Sequence, residues 1–138
     1  MKPFTKFLYI IAILAVAGLI GGIYMFNKPQ ANLQNQKADF ILTAVELHKE
    51  FTADEPAANQ KYIGKSIEIT GRVTSVNIEK DKAVSVILET SDKTSSVICN
   101  FRESVDPKLI DTLKPVTVRG ELSGFLMDVL LNNCVLIK

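Results

Sequence analysis

Apolar and polar residues alternate along segment 65–76 with a period of two. Ile67, Ile69 and Val73 fall on one side of the segment, and polar residues separate them. This period is typical of a β-strand with one buried face. Gly71 lies inside the strand, where a glycine usually marks a bulge, a sharp bend or a close backbone approach. We therefore predict a long, bent strand that contributes to two faces of a small barrel.

Four more segments show the alternation of a half-buried strand. Polar turns at 79–82 and 91–94 join the first three strands. Asn132-Asn133 interrupts the phase of the last strand, which predicts a bulge there. The four additional strands are predicted at 83–90, 95–101, 115–122 and 128–137.

The segments 65–73 and 114–122 share one pattern, in which two β-branched residues in phase are followed by a glycine and an apolar residue. Two glycine-bent strands suit a barrel that closes through curved corners. Between the third and fourth strands, segment 106–113 predicts a short helical turn that presents apolar residues. A helical segment at this place among five strands follows the order of an OB-fold. We therefore predict a mainly β chain with a five-stranded OB-fold barrel.

From Asp39 the apolar period changes to that of a helix. Segment 40–51 carries apolar residues at helical spacing, and charged residues lie on the other side. Asp54 as a cap, with Pro56 in the first turn, predicts a second short helix that runs to Tyr62. One or two short α-helices are thus expected before the barrel.

Residues 7–26 form a run of twenty residues without a charge. As a helix, this run would be about 30 Å long, which matches the hydrocarbon core of a bilayer. A cleaved signal peptide is the alternative, because Lys2 and Lys6 precede the run and Ala15-Val-Ala17 resembles a cleavage site. The apolar run continues well past Ala17, which favours an uncleaved transmembrane helix.

The basic residues before the apolar run favour a cytoplasmic amino terminus, so the rest of the chain is expected outside the cytoplasm. The polar, amide-rich segment after the run is typical of a flexible spacer. The predicted organisation is a cytoplasmic N-terminus (1–6), a transmembrane signal anchor (7–26), a linker (27–38), a helical lead-in (39–62) and the barrel (63–138).

Charge in the barrel segment argues against a nucleic-acid binder. From Tyr62 onward there are ten Lys or Arg residues and ten Asp or Glu residues, so the net charge of this part is zero. Its aromatic residues are Tyr62, Phe101 and Phe125. A site for single-stranded nucleic acid needs a basic groove and exposed aromatic rings on which bases stack.

Catalytic motifs are missing from the sequence. There is no glycine-rich phosphate loop, no metal-ligand spacing and no Ser-His pair. His48, the single histidine, has no visible set of partners, and we interpret it as a structural or surface residue. We expect a non-enzymatic protein with no cofactor and no metal.

Cys99 and Cys134 lie at apolar positions of the third and fifth strands, which are neighbours in the OB-fold order. Two interpretations remain open. In an oxidising compartment the two cysteines would form a disulfide that spans 35 positions (134 minus 99) and stabilises the fold by about 3–4 kcal/mol. Otherwise they are two buried thiols that pack as small hydrophobes.

Several short segments follow one another in a specific order, and these are 58–65, 70–73, 99–101, 116–120, Gly124, 128–131 and Cys134. Together they resemble the bacterial OB-fold family called tRNA_anti-like. The resemblance implies a membrane-attached or exported bacterial protein. Together with the apolar run and the basic residues before it, we expect a single span in the bacterial inner membrane and an extracytoplasmic C-terminal domain. The name of the family implies tRNA binding by fold analogy only, and a fold does not carry function.

The favoured interpretation is a membrane-anchored, extracytoplasmic binding or interaction module of the cell envelope. Its partner would be an unknown envelope protein or a small ligand. The alternative is an OB-fold protein that binds single-stranded nucleic acid, either tRNA or single-stranded DNA. OB-fold geometry places a binding face over the second and third strands and their flanking loops, and Arg72, Lys82 and Lys93 are its candidate residues.

Overall fold

The N-terminal apolar segment forms a single helix, α1 (Pro3–Phe26), in a computed structural model that describes residues 2–27, 33–103 and 105–137. The chain divides into two units, residues 1–31 and 32–138. The most apolar window of α1 has a mean hydropathy of 2.4, and none of it is buried. Within the described residues, α1 alone is long and apolar enough to cross a membrane. Its length and composition are those of a membrane anchor or a signal segment.

The second unit contains two short helices followed by a strand-rich region. A short strand precedes the helices, and a single 3-10 turn interrupts the later strands. In chain order the elements are β1 (Phe40–Thr43), α2 (Ala44–Ala53), α3 (Glu55–Tyr62), β2 (Ser66–Ile78), β3 (Val84–Glu89), β4 (Ser96–Phe101), the 3-10 helix (Pro107–Leu109), β5 (Pro115–Phe125) and β6 (Val129–Ile137).

Five of these strands close into the predicted OB-fold barrel. Their order is β2-β3-β4-β6-β5, and β5 pairs again with β2. The first part of β2, Ser66 to Arg72, is antiparallel to β5, whereas Val73 to Ile78 is antiparallel to β3. One long strand thus takes part in both halves of the barrel, as its sequence pattern predicted.

The irregularity in β2 does not lie at Gly71. The register of β2 on β3 shifts between Val73 and Ser75. A Cβ atom built on Gly71 would lie 3.0 Å from the Cβ of Ala44 and 3.3 Å from the Cβ of Leu88. Gly71 therefore permits a close approach of α2 to the barrel, and the bend occurs after it.

The bulge predicted in the last strand is confirmed. Arg119 pairs with Val135 and Glu121 pairs with Asn132, so β6 contains one extra residue at this point. Asn133 has a φ of 57°, a left-handed conformation that asparagine tolerates better than most residues. After the bulge, each residue of β6 therefore points to the opposite side of the strand from the one that regular alternation would give it.

The helix expected from Phe40 begins only at Ala44, so this part of the prediction is wrong. Residues 40–43 form β1, which is parallel to the start of β2. Over four residues, a period of two and a helical period cannot be told apart. Thr43 ends the strand and caps α2, because its hydroxyl accepts a hydrogen bond from the backbone N–H of Glu46.

The second short helix, α3, lies where the sequence predicted it. The Asp54 carboxylate accepts a hydrogen bond from the Ala57 backbone N–H at 3.1 Å. At the other end of α3, the buried Tyr62 donates its hydroxyl to Glu50 of α2 at 2.7 Å. This hydrogen bond is the main reason why the pKa of Glu50 is lowered, and it joins the two helices.

The core lies inside the barrel and beneath α2. Inward-facing residues of all five barrel strands form one apolar cluster with Leu47 and Phe51 of α2. The helical segment expected between β4 and β5 is reduced to the 3-10 turn, where Ile110 is buried but Leu109 and Leu113 are exposed. The fully buried strand residues include Ile67, Ile69, Val86, Leu88, Val97, Cys99, Val118, Leu122, Val129, Leu131 and Cys134.

Part of the predicted linker packs on the barrel. Residues 28–32 lie outside the described residues, but Leu33 is buried. Arg119 of β5 donates hydrogen bonds to the carbonyl oxygens of Leu33, at 2.8 Å, and Gln36, and it forms an ion pair with Glu68 at 2.7 Å. A largely buried guanidinium needs such acceptors, so the second half of the linker is held against the barrel wall.

Candidate binding face

Three apolar side chains form a row across the outside of the barrel. Ile87 of β3 pairs with Ile98 of β4, and Ile98 pairs with Leu130 of β6. All three are half-buried. In barrel order β3 and β4 are the second and third strands, which carry the ligand in many OB-folds. We call the outer surface of β3, β4 and β6 the outer face.

A row of uncharged polar side chains lies beside the apolar row. The Ser85 hydroxyl donates to the Asn100 side-chain oxygen at 2.7 Å. The Asn100 amide in turn donates to the Asn132 side-chain oxygen at 3.0 Å. This part of the outer face offers hydrogen bonds without charge.

The β5–β6 loop extends the apolar surface. Leu126 and Met127 at its tip are 93% and 71% exposed. Together with Phe125, Ile98 and Leu130 they line an open cavity of about 450 Å³. Turns between strands are usually polar, so two exposed apolar residues at this tip are unusual.

A second cavity, of about 500 Å³, lies at the β3–β4 turn and shares Asp128 with the first. Its charged lining consists of Glu89, Asp92, Lys93 and Asp128. Three carboxylates face one ammonium group, so this edge of the outer face is weakly acidic.

Hydrogen bonds fix the β3–β4 turn to the β5–β6 loop, and these two connections form the rim of the outer face. The backbone N–H and the hydroxyl of Ser96 donate to the Asp128 carboxylate at 2.7 and 2.8 Å. The Ser95 hydroxyl also donates to the carbonyl oxygen of Met127. Within the turn, Thr94 donates two hydrogen bonds to Asp92 and thereby lowers its pKa. The rim of the outer face is therefore preorganised.

The three basic candidate residues lie in different places. Lys82 precedes β3 and Lys93 follows it, so the length of this six-residue strand separates them by about 20 Å. Arg72 lies on β2, where its backbone pairs with Pro115 of β5. Only Lys93 lines a cavity of the outer face among the three.

Cys99 and Cys134 meet inside the barrel as thiols. They are 0% and 1% exposed. A hydrogen bond between the two thiols, together with burial, raises the pKa of Cys134. The Cys134 thiol also lies 3.5 Å from the carbonyl oxygen of Leu131. The structure brings the two predicted residues together, and whether they become oxidised stays a prediction.

The tRNA_anti-like family model matches residues 1–136. The chain belongs to the tRNA_anti-like family. The fold also resembles a solved structure from Klebsiella pneumoniae, described as a "putative nucleic acid-binding lipoprotein". The two share 17% identity with a TM-score of 0.61, over 75% of this chain and all of the other. No curated protein sequence matches this one.

One feature of this tRNA_anti-like barrel was missed at the sequence level. It is the apolar loop tip at Leu126 and Met127, for which the run Phe125-Leu126-Met127 before Asp128 was a usable signal. His48, which we interpreted as a structural or surface residue, is buried, and its ring lies 6.3 Å from that of Phe125. The Nδ1 atom of His48 has no hydrogen-bond partner among the described residues.

Groups of metal ligands are absent from the described part of this family member. Within residues 2–27, 33–103 and 105–137, no three or more His, Cys, Asp or Glu side chains lie close enough together to hold a metal ion.

Proposed function

We propose that this protein is a membrane-anchored, non-enzymatic binding module of the bacterial cell envelope. Its barrel lies outside the cytoplasm and binds a protein partner through the outer face. The observation that carries this proposal is the apolar row of Ile87, Ile98 and Leu130 beside the exposed tip of Leu126 and Met127. Contiguous exposed apolar surface rimmed by polar groups marks interaction sites.

The anchoring part of the proposal rests on α1. Its apolar length suits one membrane crossing, and Lys2 and Lys6 lie near its amino-terminal end. Basic residues on that side favour a cytoplasmic amino terminus. The barrel then follows on the opposite side of the membrane.

The chemistry of the outer face suits a protein segment with apolar and basic side chains. Apolar side chains of the segment would cover the row and the loop tip. A basic side chain would complement Glu89, Asp92 and Asp128 around the second cavity. The neutral amides of Asn100 and Asn132 would add hydrogen bonds to its backbone.

Nucleic acid is the second candidate, because the Klebsiella lipoprotein is described as nucleic acid-binding. The outer face supports this candidate less well, since its described charges are mainly acidic. In addition, none of the aromatic rings in residues 33–103 and 105–137 is exposed. Phe125, the ring closest to the loop tip, stacks on Phe51 with the ring centroids 5.2 Å apart.

In-cell cross-linking tests the proposal. A photoreactive residue placed at the exposed Ser123, which lines the 450 Å³ cavity, should yield a protein adduct whose partner mass spectrometry identifies. Leu126→Asp should reduce this adduct several-fold. Leu113→Asp is the matched control, because Leu113 is 89% exposed on another connection. Equal adducts in both variants would contradict a site at the outer face.

Titration with labelled single-stranded RNA and DNA at low and high salt tests the second candidate. We expect no binding whose affinity falls steeply as the salt concentration rises. The outer face has few cationic side chains that could displace counterions from the nucleic acid. Salt-dependent binding that Leu126→Asp abolishes would show that the outer face binds nucleic acid. Such a result would reject the protein-partner proposal.

A further inference from the structure

The bulge in β6 has a specific consequence for Cys134. Leu131 faces the barrel interior, and regular alternation would turn position 133 inward and position 134 outward. The extra residue at the bulge reverses this order, so that Cys134 becomes 1% exposed. The backbone of β6 therefore leaves its regular path at the point where a cysteine turns into the core.

Cys134 meets the second cysteine of the chain at that position. β4 and β6 are parallel neighbours, in which Cys99 pairs with Leu131 and Phe101 pairs with Cys134. Both side chains are buried in the same core cluster, and they come from neighbouring pairs of these two strands. On the other side, a Cβ built on Gly120 would lie 2.5 Å from the Cys134 sulfur. The missing side chain of Gly120 leaves the space that this sulfur occupies.

We propose that Cys99 and Cys134 are a site of oxidative modification, at which a buried disulfide joins β4 to β6 during folding outside the cytoplasm. The compartment is taken from the proposed function. The oxidant is a thiol–disulfide exchange donor, such as oxidised glutathione or the disulfide of an oxidoreductase.

The exchange proceeds in two balanced steps. One cysteine thiolate attacks the donor disulfide, forms a mixed disulfide and releases one donor thiolate. The second cysteine thiolate then attacks the protein sulfur of the mixed disulfide and releases the other donor thiolate. The protein loses two protons and two electrons, and the donor disulfide is reduced to two thiols.

Burial determines when this exchange occurs. At 0% and 1% exposure, neither sulfur is accessible to a donor in the closed barrel. The raised pKa of Cys134 also disfavours its thiolate in the folded state. Oxidation therefore precedes closure of β4 on β6, and the finished disulfide is shielded from reductants.

Refolding of the full chain in detergent tests the pairing. The reduced, denatured protein is refolded in a glutathione redox buffer, denatured again, alkylated and weighed intact. We expect the mass to fall by two hydrogen atoms, with no alkyl group attached. Reduced protein that is already folded should stay reduced in the same buffer until denaturant opens the barrel. Two alkylated cysteines after refolding would overturn the proposal.

Two variants keep this test interpretable. Cys99→Ala cannot close the internal disulfide, so its remaining cysteine should carry either one alkyl group or one glutathione from the buffer, and the change keeps a small apolar side chain in the core. The double variant Cys99→Ala/Cys134→Ala should show a Tm that does not depend on reductant, whereas the oxidised wild type should melt lower once reduced. A wild-type Tm that is equally insensitive to reductant would count against the disulfide.

Protein from cells separates this inference from the proposed function. An alkaline-phosphatase fusion to the C-terminus reports the side of the membrane, and alkylation at harvest reports the thiols. An active fusion with two free thiols overturns the disulfide alone. An inactive fusion overturns the extracytoplasmic location, and refolding in vitro then still decides whether the pair can form a disulfide.

Discussion

Gly71 and Gly120 occupy the same place in two similar sequence segments, yet their neighbours differ. A Cβ on Gly71 would meet Ala44 of α2 at 3.0 Å, whereas one on Gly120 would lie 2.5 Å from the Cys134 sulfur. The first glycine admits a helix and the second admits a side chain of the adjacent strand. At the residue scale, the same local pattern thus serves two different contacts.

Gly120→Ala should lower the free energy of unfolding of the reduced protein by about 1–3 kcal/mol, because an added methyl group overpacks the core. Adding Cys134→Ala should restore part of the loss, since it removes the sulfur that the methyl group would strike. Urea denaturation of the wild type, the two single variants and the double variant gives the coupling energy between positions 120 and 134. Gly124→Ala is the control, because no atom lies within 4 Å of a Cβ there. Additive effects of the two changes would refute the close contact.

At the scale of elements, Thr43 shows how one residue ends a strand and starts a helix. Its backbone N–H donates to the Glu46 carboxylate at 2.8 Å, while its hydroxyl accepts from the Glu46 N–H at 3.2 Å. This capping box satisfies groups that would otherwise lack partners at the start of α2. It is the reason that β1 and α2 follow each other without a loop.

The hydrogen bond from the Thr43 backbone N–H, followed by that from its hydroxyl, lowers the pKa of the Glu46 carboxyl from its usual value. A lowered folded-state pKa contributes stability above the unfolded value, and this contribution is lost as pH falls through the folded one. Glu46→Gln should therefore lower the urea midpoint at neutral pH, and the difference should narrow in acid. Glu55→Gln, in the first turn of α3, is the control without a capping box. A difference in urea midpoint between the wild type and Glu46→Gln that is constant with pH would contradict this role of the Glu46 carboxylate.

On the scale of the whole molecule, α1 and the barrel are separate units with different sources of stability. None of the described residues of α1 is buried by protein. Its apolar side chains would therefore be removed from water only by another apolar environment, such as lipid. The barrel instead covers its own apolar residues. We expect the two units to respond independently to substitution.

The mature protein should retain α1 and should stay in the membrane pellet after an alkaline carbonate wash. Leu14→Lys should lower the membrane-integrated fraction, because a charge at the centre of a span is costly. Met25→Lys should have little effect, since a lysine near the end of a span reaches the interface. Intact mass and fractionation provide the measurement. A soluble chain that begins at Gly18 would show that α1 is a cleaved signal segment.

The pattern of the chain by itself determined the apolar helix, the five barrel strands and the bulge near Asn133. These features are local, because the alternation of a half-buried strand and a run of twenty uncharged, mostly apolar residues can each be recognised within one segment. Four residues were too few to distinguish β1 from a helix, and only pairing with β2 decided their state. Likewise, the apolar residues of the turn between β4 and β5 look alike in the sequence, but the fold buries Ile110 and leaves Leu109 and Leu113 exposed.

The candidate site depended almost wholly on tertiary structure. Ile87, Ile98 and Leu130 come from three strands, and only the register places them in one row. The pairing of β4 with β6 likewise brings Cys134 near Cys99, whereas the separation of Lys82 from Lys93 follows from the length of β3 alone. Sequence periodicity predicts which side of its own strand a residue occupies. Which residues of other strands lie next to it is set by barrel closure, a long-range property that no short segment contains.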